Sequence, residues 1–204
     1  ENSIRHNRSR DIPKLRLGAS STLTRYVLLS HLENYIAHFP HVRITISCQS
    51  TYQTLHLLDE EKIDLGLIGR PQKLRGYYFH PLLKIRDTFV CTRQYLENQK
   101  KLYPDEPLIQ AATFMMLDED NITRQTVNTQ LKEHHVELSH ILEVTTMDLL
   151  IQFAEIGLGI ACVIRDFVKK ELEEGTLVEV PVGFSFPPRE IGFVCRQKDA
   201  NLDL

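Results

Sequence analysis

The sequence predicts an α/β protein in two parts, and three features of the chain predict it. Strand-like and helix-like stretches alternate as β-α-β-α-β through residues 15–69, the order of a doubly wound parallel sheet. A second alternation of the same kind occupies residues 113–180. The last apolar run, residues 191–195, has no helix of its own and is predicted to return to the first sheet. Residues 93–183 then form an inserted second domain, and the crossovers near Thr92 and at residues 183–188 form a hinge.

Each element follows from local pattern. Leu15, Leu17 and Ala19 alternate with Arg16 and Gly18, the period of a strand. Ser20, Ser21 and Thr22 follow, and a hydroxyl at such a position accepts a bond from a free backbone N–H at a helix start. Tyr26, Leu29, Leu32, Ile36 and Phe39 recur at helical spacing and predict one inward apolar stripe, which Pro40 ends. Val42, Ile44, Ile46 and Cys48 alternate as a second strand; Ser50 and Thr51 open a helix with Leu55 and Leu58 inward. Residues 63–69 are almost continuously apolar, as in a strand covered on both faces. Residues 70–86 are basic and read as irregular, residues 87–92 as a strand, and Gln94 to Pro107 as a polar, Pro-containing stretch. In the second alternation, strands are predicted at 113–117, 140–144, 159–164 and 177–180, and helices at 122–135, 147–156 and 166–174. Gly157 supplies a left-handed helix stop.

The bulk properties exclude several classes. A chain of 204 residues, 42% hydrophobic and 25% charged, can bury a sizeable core and is ordinary for a globular protein. Its net charge of −3 argues against gripping nucleic acid unaided, because phosphate binding needs clustered Lys and Arg. No apolar run approaches the roughly 20 residues of a membrane helix, so no membrane partner is expected. Residues 1–10 are polar and lack the apolar segment of a secretion signal. Cys48, Cys91, Cys162 and Cys195 are far apart with no CxxC pair, which reads as reduced thiols in a cytoplasmic protein. A redox-sensing pair stays open without support in the pattern.

The candidate site comes from topology. In parallel α/β sheets, ligands bind beyond the carboxyl ends of the strands. Ser20, Ser21 and Thr22, then Ser50 and Thr51, then Gly69 and Arg70 all fall at such ends and are expected to converge. Hydroxyl-lined helix starts offer N–H donors and a positive dipole end to a small anion; the alternative is that these hydroxyls only cap their helices. Arg70 either meets a carboxylate or sulfate bidentately or stands in solvent. No G-x-S-x-G elbow is present, and no His or carboxylate shares these loops to activate a hydroxyl. The histidines never fall at i, i+4 on a helix, which argues against a metal site. Gly157-Leu158-Gly159 opens a dinucleotide fingerprint, but Cys162 stands where its third glycine belongs. No cofactor, no metal and no catalysis are therefore expected.

Four stretches carry a family resemblance: Glu143-Val144-Thr145-Thr146-Met147-Asp148-Leu149-Leu150, Glu155-Ile156-Gly157-Leu158-Gly159-Ile160-Ala161, Glu173-Glu174-Gly175-Thr176-Leu177-Val178, and Arg189-Glu190-Ile191-Gly192-Phe193-Val194. With the strand–loop–helix at residues 15–40, the ordered set resembles the effector-binding domain of LysR-type transcriptional regulators over nearly all of residues 14–198. The resemblance implies two Rossmann-like subdomains joined by a two-strand hinge, the type II periplasmic-binding-protein fold, with a small polar or anionic metabolite in the cleft. It implies a linker remnant at residues 1–13, subdomain I at 14–92 plus 184–204, and subdomain II at 93–183. Ser20, Thr22 and Thr51 are then effector contacts, with Thr145 on the opposite wall and Thr146 and Met147 beside it. A homodimer is also implied, tetrameric in the full-length protein, with the helices at 22–39 and 147–156 packed antiparallel wherever Leu28, Leu29 or Leu150 is exposed. DNA is reached only through an N-terminal helix-turn-helix that this chain does not contain, and the closing helix is cut short at Leu204. The rival reading is a solute-binding protein of a transport system, which predicts a signal peptide upstream in place of a helix-turn-helix.

Overall fold

The computed structural model describes residues 13–200. Residues 1–12 of the expected linker remnant, and the chain end at Leu204, lie outside the described residues.

Two five-stranded sheets make up the fold. The first contains β1 (Lys14–Ala19), β2 (Arg43–Cys48), β3 (Leu65–Gly69), β4 (Tyr77–Ile85) and β10 (Arg189–Arg196), in the order β2-β1-β3-β10-β4. Strand β1 lies parallel to β2 and β3, whereas β10 returns antiparallel between β3 and β4. The second sheet contains β5 (Asp87–Cys91), β6 (Thr113–Leu117), β7 (His140–Val144), β8 (Ile160–Ile164) and β9 (Val178–Glu179), in the order β7-β6-β8-β5-β9. Here β6 is parallel to β7 and β8, and β5 is antiparallel to β8 and β9. The same plan thus occurs twice, with two crossovers between the lobes.

Three expectations are corrected. Strand β5 belongs to the second sheet, so the first crossover falls at Arg86, between β4 and β5, and not at Thr92. Residues 77–85, read as irregular, form β4, an edge strand; His80, Pro81 and Lys84 interrupt its apolar pattern, and an edge tolerates a proline because one side needs no ladder bond. Its register with β10 shifts between Ile191 and Gly192, leaving Leu82 of β4 without a partner, and a Cβ on Gly192 would lie 2.2 Å from the His80 carbonyl oxygen. Residues 94–102, read as part of a polar, Pro-containing stretch, belong to a helix, α4 (Arg93–Leu102), capped by Thr92 and burying only Tyr95, so no apolar stripe announced it.

The first helix also departs from its pattern. It begins as α1 (Ser21–Leu23), widens into a π-helical stretch (Thr24–Leu28) and continues as α2 (Leu29–His38). The extra residue per turn shifts the phase, so Val27, Leu28 and Leu32 are buried while Leu29, Ile36 and Phe39 are half exposed. The other helices are α3 (Thr51–Asp59), α5 (Leu108–Ala111), α6 (Ile122–Glu133), α7 (Met147–Glu155) and α8 (Lys169–Glu174). Separate apolar clusters pack each lobe: Leu55, Leu58, Ile63, Ile68 and Val194 in the first, and Phe89, Phe114, Met116 and Ile160 in the second. A third cluster draws Leu23, Val27 and Leu28 from one lobe together with Leu117, Met147 and Leu150 from the other.

Candidate functional site

Three helix starts meet between the lobes. Each is built alike, by a strand ending in a short loop whose last residue caps the next helix. Ser20 Oγ accepts from the Leu23 N–H at 3.2 Å, Ser50 Oγ from the Gln53 N–H at 3.3 Å, and Asn121 Oδ1 from the Thr123 N–H at 2.8 Å. The remaining first-turn N–H groups have no intrahelical acceptor, because no turn precedes them. Ser20, Thr22, Leu23, Ser50, Thr51 and Gly69 from the first lobe face Leu117, Asn121, Ile122, Thr123 and Ile164 from the second across a cavity of about 20 Å³. That is room for a water-sized group.

Arg189 closes the cavity from the hinge side. Its Nε donates to Asp87 Oδ2 at 2.7 Å and its Nη2 to Asp87 Oδ1 at 2.8 Å, a bidentate pair in which Asp87 is 1% exposed. Nη2 also donates to Thr123 Oγ1 at 2.7 Å. Asp87 opens β5 and Arg189 opens β10, so this pair ties together the two places where the chain changes sheet. A pair this buried is costly to break, because either partner alone is left as an uncompensated charge.

Two further contacts cross between the lobes. The Tyr52 hydroxyl donates to Gln125 Oε1 at 3.1 Å, beside a wider vestibule of about 960 Å³ that Arg70, Lys73 and Arg189 also line. On the far flank the Tyr26 hydroxyl donates to Asp148 Oδ1 at 2.8 Å, its ring stacks on Phe167 with centroids 4.3 Å apart, and Arg25 Nε lies 3.3 Å from the same carboxylate. Burial first, and then the bond to Asp148, push the Tyr26 phenol up to about 12.

Of the residues expected at the site, the structure brings Ser20, Thr22, Ser50, Thr51 and Gly69 together around the cavity. Ser21 is exposed and does not line it. Arg70 lies in the vestibule, where its Nη1 pairs with Glu190 Oε2 at 2.6 Å and its guanidinium sits over the Phe79 ring at 5.2 Å. Thr145, Thr146 and Met147 are not brought to the cavity: Thr145 is exposed, Thr146 caps α7, and Met147 is fully buried in the shared core. The opposite wall is instead the start of α6. Asn121-Ile122-Thr123 carried the same local signal as Ser20 and Ser50, a capping residue after an apolar strand, and was readable on that ground. Arg189 carried none, since its partners Asp87 and Thr123 are distant in sequence.

The chemistry is that of binding. No His or Cys lines the cavity, and the nearby carboxylate of Asp87 is held by Arg189. Among the described residues, no cluster of His, Cys, Asp and Glu could hold a metal ion, and no helix is long and apolar enough to cross a membrane. Burial raises the Cys91 thiol to about 12 and holds the Cys162 thiol well above its ordinary value, so both stay protonated and unreactive.

A fold of two hinged α/β lobes around a hydroxyl-lined cleft defines a ligand-binding domain of the type II periplasmic-binding-protein kind. The chain belongs to the LysR substrate-binding-domain family, whose model matches residues 9–202. It is 24% identical over 179 residues to the HTH-type transcriptional regulator YeiE of Escherichia coli, covering 82% of this chain and 57% of that protein. To the HTH-type transcriptional regulator CbbR of Rhodospirillum rubrum it is 25% identical over 168 residues, covering 82% and 55%. The chain thus spans little more than half the length of these relatives. Among solved structures, the regulatory domain of CcmR from Synechocystis, in complex with 2-PG, superposes with a TM-score of 0.73 at 18% identity, covering 91% of this chain and 88% of that one. The apo regulatory domain of HypT from Salmonella typhimurium superposes with a TM-score of 0.76 at 16% identity, covering 91% and 87%. These relatives are transcriptional regulators and not enzymes, and they do not favour the transport reading.

Proposed function

We propose that this chain is the effector-sensing part of a LysR-type transcriptional regulator, and that a small polar or anionic metabolite binds between its lobes at Ser20, Thr22, Thr51, Asn121 and Thr123. The observation that carries this reading is the meeting of three capped helix starts across a hinged cleft with no reactive pair in it. The effector shifts the lobes only by its difference in affinity between their arrangements. Lobe I comprises residues 14–85 with 189–199 and lobe II residues 87–179, with residues 180–188 as the second crossover.

The change in lobe angle is passed through an antiparallel homodimer to DNA-binding domains outside this chain. Two patches support that assembly. In the first lobe Leu29 and Ile36 on α2, Phe39 at its C-cap and Ile46 on the edge strand β2 are exposed; in the second, Ile141 and Leu142 on the edge strand β7, Leu149 on α7 and Ile156 at its C-cap, the last 75% exposed. Of the residues the resemblance named, Leu29 is exposed, whereas Leu28 and Leu150 are buried.

Calorimetry against a metabolite panel tests the reading. A ligand is expected whose affinity falls about tenfold in Thr51→Val and in Asn121→Ala, the loss of one good hydrogen bond each. Ligands that bind these variants and the parent chain equally would place the effector elsewhere.

A further inference from the structure

We infer that the effector carries a compact oxyanion group, a carboxylate or a phosphate, and that the free edge of Arg189 reads it together with the starts of α3 and α6. This rests on the cleft being the effector site, and it names the chemical class that the cleft selects.

The argument begins at Arg189. Two of its nitrogens are committed, Nε and Nη2 to Asp87 and Nη2 also to Thr123. Nη1 has no hydrogen-bond partner among the described residues. It stands 3.2 Å from the position a Cβ on Gly69 would take, so the absence of a side chain at Gly69 is what leaves that edge open to the cavity. Thr51 gives a second, independent sign: it is only 5% exposed, lines the cavity, and its hydroxyl is unpartnered among the described residues. Thr51 and Arg189 line one space, and neither the hydroxyl nor Nη1 has a protein partner among the described residues, so two donors are free for a ligand's acceptor.

The field has the matching sign. The first turns of α3 and α6 point free N–H groups and the positive ends of their dipoles at the same point. No carboxylate lines the cavity. Asp87 neutralises Arg189 as a bare charge, so the anion is held by directed donors more than by net attraction. Charge-assisted bonds of this kind are the strong ones.

Size and position set the rest. A space of about 20 Å³ takes one oxygen of the oxyanion, and the rest of the molecule extends past Ile122 into the vestibule with Arg70 and Lys73. The Tyr52–Gln125 bond crosses between the lobes at the wall of that vestibule, and Ile122 and Arg189 line both spaces. Because the other edge of Arg189 holds Asp87 at one crossover and Thr123 on α6, a group seated on Nη1 acts on the hinge and on the second lobe together.

The test is titration of the chain at matched ionic strength with inorganic phosphate, sulfate, a short monocarboxylate, a short dicarboxylate, and the neutral diamide of that dicarboxylate. Calorimetry and thermal unfolding provide the readouts. At least one oxyanion is expected to bind and the diamide is not. Gly69→Ala, whose methyl would meet Nη1 at 3.2 Å and Ile122 Cγ2 at 3.3 Å, and Thr51→Val are each expected to weaken the bound anion at least about tenfold. Thr51→Val does not touch the Asp87–Arg189 pair, so it carries the test even if Arg189→Lys fails to fold or the Gly69→Ala methyl displaces Nη1. Binding of the diamide as tightly as the acid, or of no oxyanion at all, would overturn the inference. A neutral metabolite that binds and is weakened by Thr51→Val would overturn the oxyanion and leave the cleft standing. Ligands indifferent to both variants would overturn both.

Discussion

Tyr26 shows how one side chain can serve the joint between lobes. Its hydroxyl bonds Asp148 on α7, its ring lies on Phe167, and the phenol is held neutral up to about 12 against an unfolded value near 10. Folding therefore favours the protonated form. That contribution is complete below pH 10 and is lost as the pH rises toward 12. Tyr26→Phe is expected to cost about 1 kcal/mol at neutral pH, through the lost bond to a carboxylate. It should also flatten the alkaline fall in stability, leaving the part due to Tyr77, which burial and Asp59 raise likewise. Chemical denaturation at a series of pH values measures both. An alkaline limb as steep in the variant as in the parent chain would remove Tyr26 from the account.

At the scale of elements, what could be read from sequence was what is written locally. The alternation of Leu15, Leu17 and Ala19 and the apolar run at residues 63–69 became β1 and β3 because buried strands impose those patterns. Ser20 and Ser50 were legible as helix starts because a cap acts within three residues. Strand β4 was hidden because an edge strand has no need of a continuous apolar face, and α4 because it buries one residue. The sheet to which β5 belongs, and the convergence of Arg189 on Asp87 and Thr123, are tertiary pairings with no local trace. The π stretch is a subtler case. The stripe Leu29–Ile36–Phe39 was read as core, and the phase shift turns it outward, where it forms half of the proposed dimer face. Phe39→Glu is expected to convert a dimer to monomer in sedimentation velocity with little loss of monomer stability, since the ring is 54% exposed. Unchanged sedimentation would move the interface off α2.

For the whole molecule, the central feature is two repeats of one α/β plan joined at a charged hinge, with their helix starts aimed at each other. The shared apolar cluster and the contacts Tyr26–Asp148, Tyr52–Gln125 and Arg189–Thr123 hold the lobes in the described arrangement. An effector that replaced the Tyr52 contact with bonds to both walls would change the lobe angle by its difference in affinity between the two arrangements. Hydrogen–deuterium exchange, with and without a saturating ligand found by titration, tests this most directly. Protection is predicted in the segments 20–23, 50–53 and 121–124, from both lobes at once. Protection confined to one lobe, or appearing away from these three helix starts, would contradict it.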